Sequence, residues 1–278
     1  MEDRRCEAVL SIEPAERMPE LPEVEEAAAR LRRVIIGRTI VSLAAHHRSQ
    51  RRQLPRRQAK RAEGRRVTAV ERRGKHQLIR LDDGAVLHVH FRMDGDWVTG
   101  RADAPLARFA RVTIDLADGR RIALEDPRAL CTIRYHSPAR APRLALGPEA
   151  DDPALTGLAL RAALGERRGA IKPVLLDQQL IAGIGNIYAC EALWRARIHP
   201  VVRAAELGPA RAERLLDGIR AALADGARNA GLYRTGGRIV PFEVYDREGE
   251  SCRRCGGTIR RVVQAGRSTY FCAHCQRK

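Results

Sequence analysis

Four of the seven cysteines lie near the end of the chain as Cys252-x2-Cys255-x16-Cys272-x2-Cys275. Each Cys-x2-Cys knuckle turns tightly enough to aim two thiolates at one ion, and two knuckles complete a tetrahedron. The spacing therefore predicts one structural Zn²⁺. Four thiolates fill the shell and leave no position for water, so the ion is expected to hold a short hairpin, RRVVQAGRSTYF, rather than to catalyse. His274, inside the second knuckle, reads as an exposed bystander. The scattered Cys6, Cys131 and Cys190 read as small buried apolar residues.

Two further constellations carry chemistry. In LLDQQLIAGIGNIYACEALW, Gly183, Gly185 and Asn186 break a helical pattern. This is no dinucleotide fingerprint, because no strand precedes it and the third glycine is missing. Residue types leave two readings open: a plain helix connector, or a turn whose N–H groups open the second helix and attract phosphate. In the second reading Arg167, Arg168 and Lys172 form a clamp upstream. At Met18, MPELPEVEEAAARL sets Pro19 beside Glu20, while Lys75 sits in the hairpin ERRGKHQL. By type alone, Pro19 starts a helix, Glu20 meets the helix dipole, and Lys75 is a surface cation.

The elements that must carry these residues follow from periodicity. Short alternating runs from Val67 to Leu124, punctuated by Asp83-Gly84 and Asp118-Gly119, predict antiparallel sheet. Pro22 to Ile36 predicts one helix, with Glu23, Glu25 and Glu26 in its first turn, Leu31, Val34 and Ile35 on an apolar face, and Gly37 as its stop. Residues 152–230 turn to an Ala/Leu/Arg-rich helical pattern broken at Gly165, Gly169, Gly183, Gly185 and His199-Pro200. The Pro-rich SPARAPRLALGPEADDP connects the two patterns, and a third module begins near Val240. The expected organisation is an N-terminal extension at 1–17, an α+β unit at 18–140, a helical unit at 150–232 and the cysteine ribbon at 240–278.

Composition narrows the partners. The chain has 278 residues and a net charge of +17, and only four of its 51 cations are lysine. A basic balance of this size points to polyanions, nucleic acid first. At 44% hydrophobic residues the chain can fill real cores, which excludes disorder. No run of about 18 apolar residues occurs, and the first residues lack the apolar stretch of a signal peptide, so a cytoplasmic or nucleoid location is expected.

Six motifs stand in order along the chain: MPELPEVE, RRGKHQL, HFRMDG, DPR, AIKPVLLDQQLIAGIGNIYACE, and the four-cysteine ribbon with GRSTYFC. Together they resemble the formamidopyrimidine-DNA glycosylase and endonuclease VIII family of bifunctional base-excision repair enzymes, with MPELPEVE closer to the formamidopyrimidine branch. The resemblance implies an N-terminal antiparallel β-sandwich with flanking helices, a helix–two-turn–helix domain and a zinc finger. It implies a monomer acting on damaged double-stranded DNA, with no membrane partner. It makes Pro19, freed by loss of Met18, the amine that attacks the sugar C1′, with Glu20 as the acid in ring opening and Lys75 in proton transfer. Arg267 would grip phosphate during δ-elimination, and Glu23 would line the lesion pocket. Met93 would enter the stack, Arg128 would contact the opposite base, and Asn186, Arg168 and Lys172 would clamp phosphates.

Three departures bear on these expectations. A proline inside a chain is a tertiary amide without a nucleophilic lone pair, so Met18 is expected to be the natural start. With residues 1–17 retained, a non-catalytic DNA-binding protein is the alternative. Leu130 stands where the resemblance expects a wedge phenylalanine, which predicts weaker lesion interrogation. The segment GLYRTGGRIVPFEVY is short, which puts a preference for 8-oxoguanine in doubt and leaves ring-opened purines, or the oxidised pyrimidines of an endonuclease VIII-like enzyme, as substrates.

Overall fold

The structure, a computed structural model, describes residues 19–234 and 242–278. The extension with Cys6, together with Met18 and the middle of GLYRTGGRIVPFEVY, lies outside the described residues. The first helix, α1 (Leu21–Ile35), buries Val24, Ala27, Ala28, Leu31 and Ile35, an i, i+3, i+4 stripe that faces one core. After it come β1 (Ile40–Ala45) and the short helices α2 (Arg48–Gln53) and α3 (Arg56–Ala59). There follow β2 (Val67–Arg73), β3 (His76–Leu81), β4 (Val86–His90), β5 (Asp96–Arg101), β6 (Ala110–Leu116), β7 (Arg120–Glu125) and β8 (Thr132–His136).

These strands form two four-stranded antiparallel sheets, ordered β1-β6-β7-β5 and β2-β3-β4-β8. Alternation along each strand turns Val112, Ile114, Ile122 and Leu124 of one sheet toward Ile79, Leu87, Val89 and Ile133 of the other. With α1 they make one continuous core. The β-sandwich expected for the first unit is therefore present, and its tight turns fall at the two Asp-Gly pairs.

Beyond the connector lie α4 (Gly157–Gly165), α5 (Ile171–Leu175), α6 (Asn186–Arg195) and α7 (Pro209–Arg234), then the hairpin β9 (Ile259–Gln264) and β10 (Arg267–Cys272). The ribbon has no core of its own: Phe242, Val244, Cys252, Ile259 and Cys272 join the helical core of Leu193, Trp194, Ile198 and Leu215. A segment too short to enclose apolar side chains is completed by α6 on one side and by its thiolates on the other. Cys131 and Cys190 are buried as expected. No helix among the described residues is long and apolar enough to cross a membrane.

Candidate active site and nucleic-acid interface

The start of α1 meets the start of α6 in a buried corner. Glu20, the N-cap of α1, is 0% exposed, and its carboxyl reaches the start of α6. Its Oε1 accepts the Ile187 N–H at 2.9 Å and its Oε2 the Tyr188 N–H at 3.3 Å. These are donors of the first turn of α6, the part of a helix that favours an anion. The N–H donors that follow the glycine-rich turn are thus met by the chain's own Glu20 carboxyl. Glu23 is 1% exposed. Its Oε2 accepts the Glu20 N–H at 2.9 Å and its Oε1 the Tyr188 hydroxyl at 2.5 Å. Pro19 is buried immediately before them.

Gly185 is what lets these groups converge. A Cβ there would fall 2.3 Å from the Glu20 carboxyl and 2.5 Å from Lys75 Nζ. One turn back, Gly183 O accepts the Leu21 N–H at 3.2 Å. A Cβ on Gly183 would strike Leu21 Cδ1 at 2.3 Å. Any side chain at either position would push α6 off the Pro19–Leu21 segment.

The corner shifts its acids and its base in opposite directions. Burial raises Glu20 above the usual carboxylate range, against the Lys75 charge and the N–H donors of Ile187 and Tyr188. Burial likewise pushes Glu23 up to about 7, with the Glu20 charge adding to it and the Tyr188 hydrogen bond opposing. Lys75 is lowered, first by desolvation and then by the Arg267 charge, while Glu20 and Glu23 work the other way. Burial thus favours the neutral form of each of these groups, the direction in which a proton-transfer site near neutral pH is tuned.

Lys75 reaches the corner from the two-residue turn between β2 and β3, so it is not a surface hairpin cation. The turn is braced by the connector: Glu149 accepts the Gly74 N–H at 2.6 Å and pairs with Arg72 at 2.8 Å and Arg73 at 3.1 Å. Arg72 also pairs with Glu25 of α1 at 2.5 Å. Sequence reasoning passed over Glu149, because a lone acid in a Pro-rich connector has no local pattern that marks it.

The ribbon supplies the opposite wall. The four Sγ atoms of Cys252, Cys255, Cys272 and Cys275 lie within 4.8 Å of one another. Cys252 and Cys275 stand 3.9 Å apart, and Cys255 and Cys272 3.5 Å. Tetrahedral Zn–S bonds of about 2.3 Å place sulfurs about 3.8 Å apart, so the residues fit a structural zinc ion. Trp194 Nε1–H donates to Cys252 Sγ at 3.4 Å and orients that ligand. His274 stays exposed outside the cluster.

At the other end of the hairpin, Ser268 O accepts Asn186 Nδ2–H at 3.0 Å and Lys172 Nζ at 3.4 Å, and Lys172 also donates to Asn186 Oδ1. Lys172 is 0% exposed, which corrects its reading as an open phosphate clamp. Its ammonium is desolvated and consumed in pinning α5 and α6 to the hairpin. Arg267, next to Ser268, remains exposed, as does Arg168, whereas Arg167 pairs with Asp177 at 3.0 Å.

Two loops of the sandwich carry the remaining candidates. Met93 sits in the turn 92–94 between β4 and β5, partly exposed rather than inside the core. Arg128 and Leu130 project from the loop 126–130, and Arg128 pairs with Asp94 beside Met93, joining the two loops. Ala129 is held at φ +55. Buried Asp126 accepts the Arg128 N–H at 3.0 Å and the Cys131 N–H at 2.6 Å. Buried Gln50 donates to Ala129 O at 3.1 Å and Cys131 O at 2.7 Å. Neither brace was found from the sequence, since both partners of Gln50 lie about eighty residues away.

Comparison with known proteins gives this arrangement its class. Residues 18–133 match the formamidopyrimidine-DNA glycosylase N-terminal domain, 146–235 its H2TH domain, and 249–277 the zinc finger found in FPG and IleRS. The chain is 42% identical to the formamidopyrimidine-DNA glycosylase of Chloroflexus aurantiacus over 93% of this chain and 98% of that protein. The Lactococcus lactis enzyme, solved with DNA containing an abasic site, superposes with a TM-score of 0.86 at 31% identity, covering 94% of this chain and all of that one. Its complex with Fapy-dG DNA gives 0.86 at 32%, covering 93% and again all of the other chain. The chain belongs to the formamidopyrimidine-DNA glycosylase family.

Proposed function

We propose that the corner of Pro19, Glu20, Glu23 and Lys75 is the catalytic centre of this DNA glycosylase, which removes oxidised or ring-opened bases and cleaves the abasic site that remains. The observation that carries the reading is the desolvated Glu20 carboxyl, held by the first turn of α6 within reach of Lys75 across Gly185. With Pro19 as the N-terminal residue, its secondary amine titrates near 8 and is partly neutral at pH 7. The nitrogen lone pair attacks C1′ and the damaged base leaves with the C1′–N bond pair, taking up the proton that the proline nitrogen loses; Glu20 then gives a proton to the sugar oxygen as the C1′–O bond opens and the nitrogen lone pair forms the iminium. The resulting iminium acidifies a 2′ proton. Its removal, with Lys75 in proton transfer, expels the 3′ phosphate, and a second elimination assisted by Arg267 expels the 5′ phosphate.

The DNA roles follow exposure. Arg168 and Arg267 meet phosphates, Met93 and Leu130 fill the place of the extruded nucleotide, and Arg128 faces the opposite base. Lys172 and Asn186 act indirectly by fixing the hairpin that presents Arg267. The units 18–140, 150–232 and 240–278 divide these tasks into chemistry, phosphate grip and hairpin placement, and a nucleoid location belongs to the same reading.

Borohydride trapping on lesion duplexes tests the centre. Protein made from Met18, with that methionine removed, forms a covalent complex that is lost in Pro19→Gly and in chains retaining residues 1–18. Trapping by a form whose Pro19 nitrogen is still acylated would overturn the assignment. No trapping by any form would make the protein a damaged-DNA binder without this chemistry. Kinetics on 8-oxoguanine, ring-opened purine and oxidised pyrimidine duplexes rank the substrates, with ring-opened purines expected ahead of 8-oxoguanine.

A further inference from the structure

The helix that receives Glu20 at one end borders a different site at the other. Where α6 ends, the residues after it, the first turns of α7 and both knuckles of the ribbon surround an open hollow of about 580 Å³. Six cations line it, Arg197, Arg211, Arg214, Arg254, Arg277 and Lys278, and no acidic residue does. Since α6 has ten residues, the hollow stands roughly 15 Å along the helix from Asn186 and the catalytic corner.

Ion pairing is the rule nearby: Arg195 pairs with Asp225, Arg247 with Glu250 at 2.8 Å and Arg253 with Glu243 at 3.8 Å. Among the described residues none of the six lining cations has a carboxylate partner within 4.0 Å. Three of them are instead steadied by neutral groups. Arg254 lies 3.7 Å over the Trp194 ring and donates to Trp194 O at 2.9 Å. Arg211 donates to Arg277 O at 3.3 Å and Arg214 to Ala210 O at 3.2 Å. Each of these hydrogen bonds uses one guanidinium nitrogen. Against the two negative charges of a zinc tetrathiolate that includes Cys255 and Cys275, the six cations leave the concavity net positive, and the steadied guanidinia among them are preorganised for an anion.

We propose that this hollow is a second polyanion site, taking a run of adjacent phosphate groups. Phosphate fits better than an acidic peptide, because successive phosphates deliver about one charge each without side chains or peptide groups that need partners of their own. Guanidinium forks also match phosphate oxygens bidentately. The phosphates come either from duplex backbone beyond the lesion or from a free polyphosphate, and the site does not depend on the chemistry assigned to Pro19.

The test uses the full chain, zinc-loaded, with Arg211→Gln/Arg214→Gln as the hollow variant and Arg168→Gln as the control on the other interface. Zinc content and the far-ultraviolet spectrum check folding, and Arg214→Gln/Arg277→Gln is the second variant if the first is impaired. Titration calorimetry with inorganic tripolyphosphate is expected to show about tenfold weaker binding for each arginine removed from the hollow, and no change for Arg168→Gln. If the natural source is DNA, the hollow variant also weakens binding of a long duplex but not of a short one. Its slope of log K against log salt on the long duplex then falls by about 1 per arginine. If the source is free polyphosphate, both duplexes bind as before. Equal tripolyphosphate binding by wild type and both hollow variants overturns the proposal, as does a loss confined to Arg168→Gln. Tighter binding of poly-glutamate than of tripolyphosphate, abolished in the hollow variants, overturns it in favour of an acidic protein segment.

Discussion

The corner at Glu20 and the paired loops around Met93 and Arg128 are built on opposite terms. In the corner, titratable groups are stripped of water: Glu20 is 0% exposed and Glu23 1%. In the loops, the candidate side chains stand out, with Leu130 47% exposed, while the buried groups, Gln50 and Asp126, only shape backbone. Desolvation is useful where protons must move near pH 7, because it shifts acids up and bases down. In the loops, which are proposed to enter the duplex, it would serve nothing, and there the braces are buried and the candidate side chains exposed.

The largest effect is expected from Glu20→Gln, which keeps the shape and removes the proton. Single-turnover base excision should fall about 10²- to 10⁴-fold, as for loss of a general acid, with strand cleavage at a preformed abasic site less affected. Equal losses on both substrates would mean that Glu20 serves only to seat α6, and the contrast between corner and loops would lose its chemical half.

Glu23 tests the same desolvation through stability. Its folded value near 7 lies above the ordinary 4.5, so the protonated form belongs to the folded state. That contribution is complete below pH 4.5 and is lost as pH rises through 7, on the order of 3 kcal/mol in all. Glu23→Gln, which mimics the protonated acid, should match wild type in denaturant titrations at pH 4 and exceed it by that amount at pH 8. Parallel stability curves for the two proteins would show that folding leaves the ionisation of Glu23 unshifted.

Gly185→Ala asks how exact the convergence must be. The new Cβ, 2.3 Å from the Glu20 carboxyl and 2.5 Å from Lys75 Nζ, has to displace one of them. A shift of about 1 Å in a catalytic group costs about 10²-fold, so kcat should drop by that order while duplex affinity, which the proposed function assigns to Arg168, Arg267 and the loops, holds. A fall in affinity without a fall in kcat would place the defect in the phosphate grip.

These partners also show what a sequence can display. The zinc ligands, the amphipathic α1 and the Asp-Gly hairpins were legible because each is a local pattern of a few residues. Pro19, Glu20 and Lys75 were singled out only through resemblance, since the carboxylate of Glu20 finds its Ile187 donor 167 residues away. Glu149 reaches Gly74 across 75 residues and Gln50 reaches Ala129 across 79, and nothing near them in sequence marks the contact. Lys172 misled for a related reason: a lysine beside two arginines looks like part of a basic face until Asn186 and Ser268 enclose it.

The smallest effect is expected from Leu130→Phe, and it bears on the exposed half of the comparison. Leu130 makes no core contact that a larger ring would disturb, and its loop is held by Gln50 and Asp126 rather than by its own side chain. Stability should therefore stay within about 0.5 kcal/mol. An aromatic ring adds a face on which a base can stack, an interaction in the range of about 1–3 kcal/mol on single-stranded platforms. In a duplex, part of that gain is offset by the neighbouring bases it unstacks, so lesion-duplex affinity should rise by about 1 kcal/mol or less. The rise should be greater for lesion than for undamaged DNA, because only the opened stack offers the ring a place. Equal gains on both duplexes would mean the ring merely adds apolar surface, and Leu130 would then belong to the loop's outer wall rather than to its wedge.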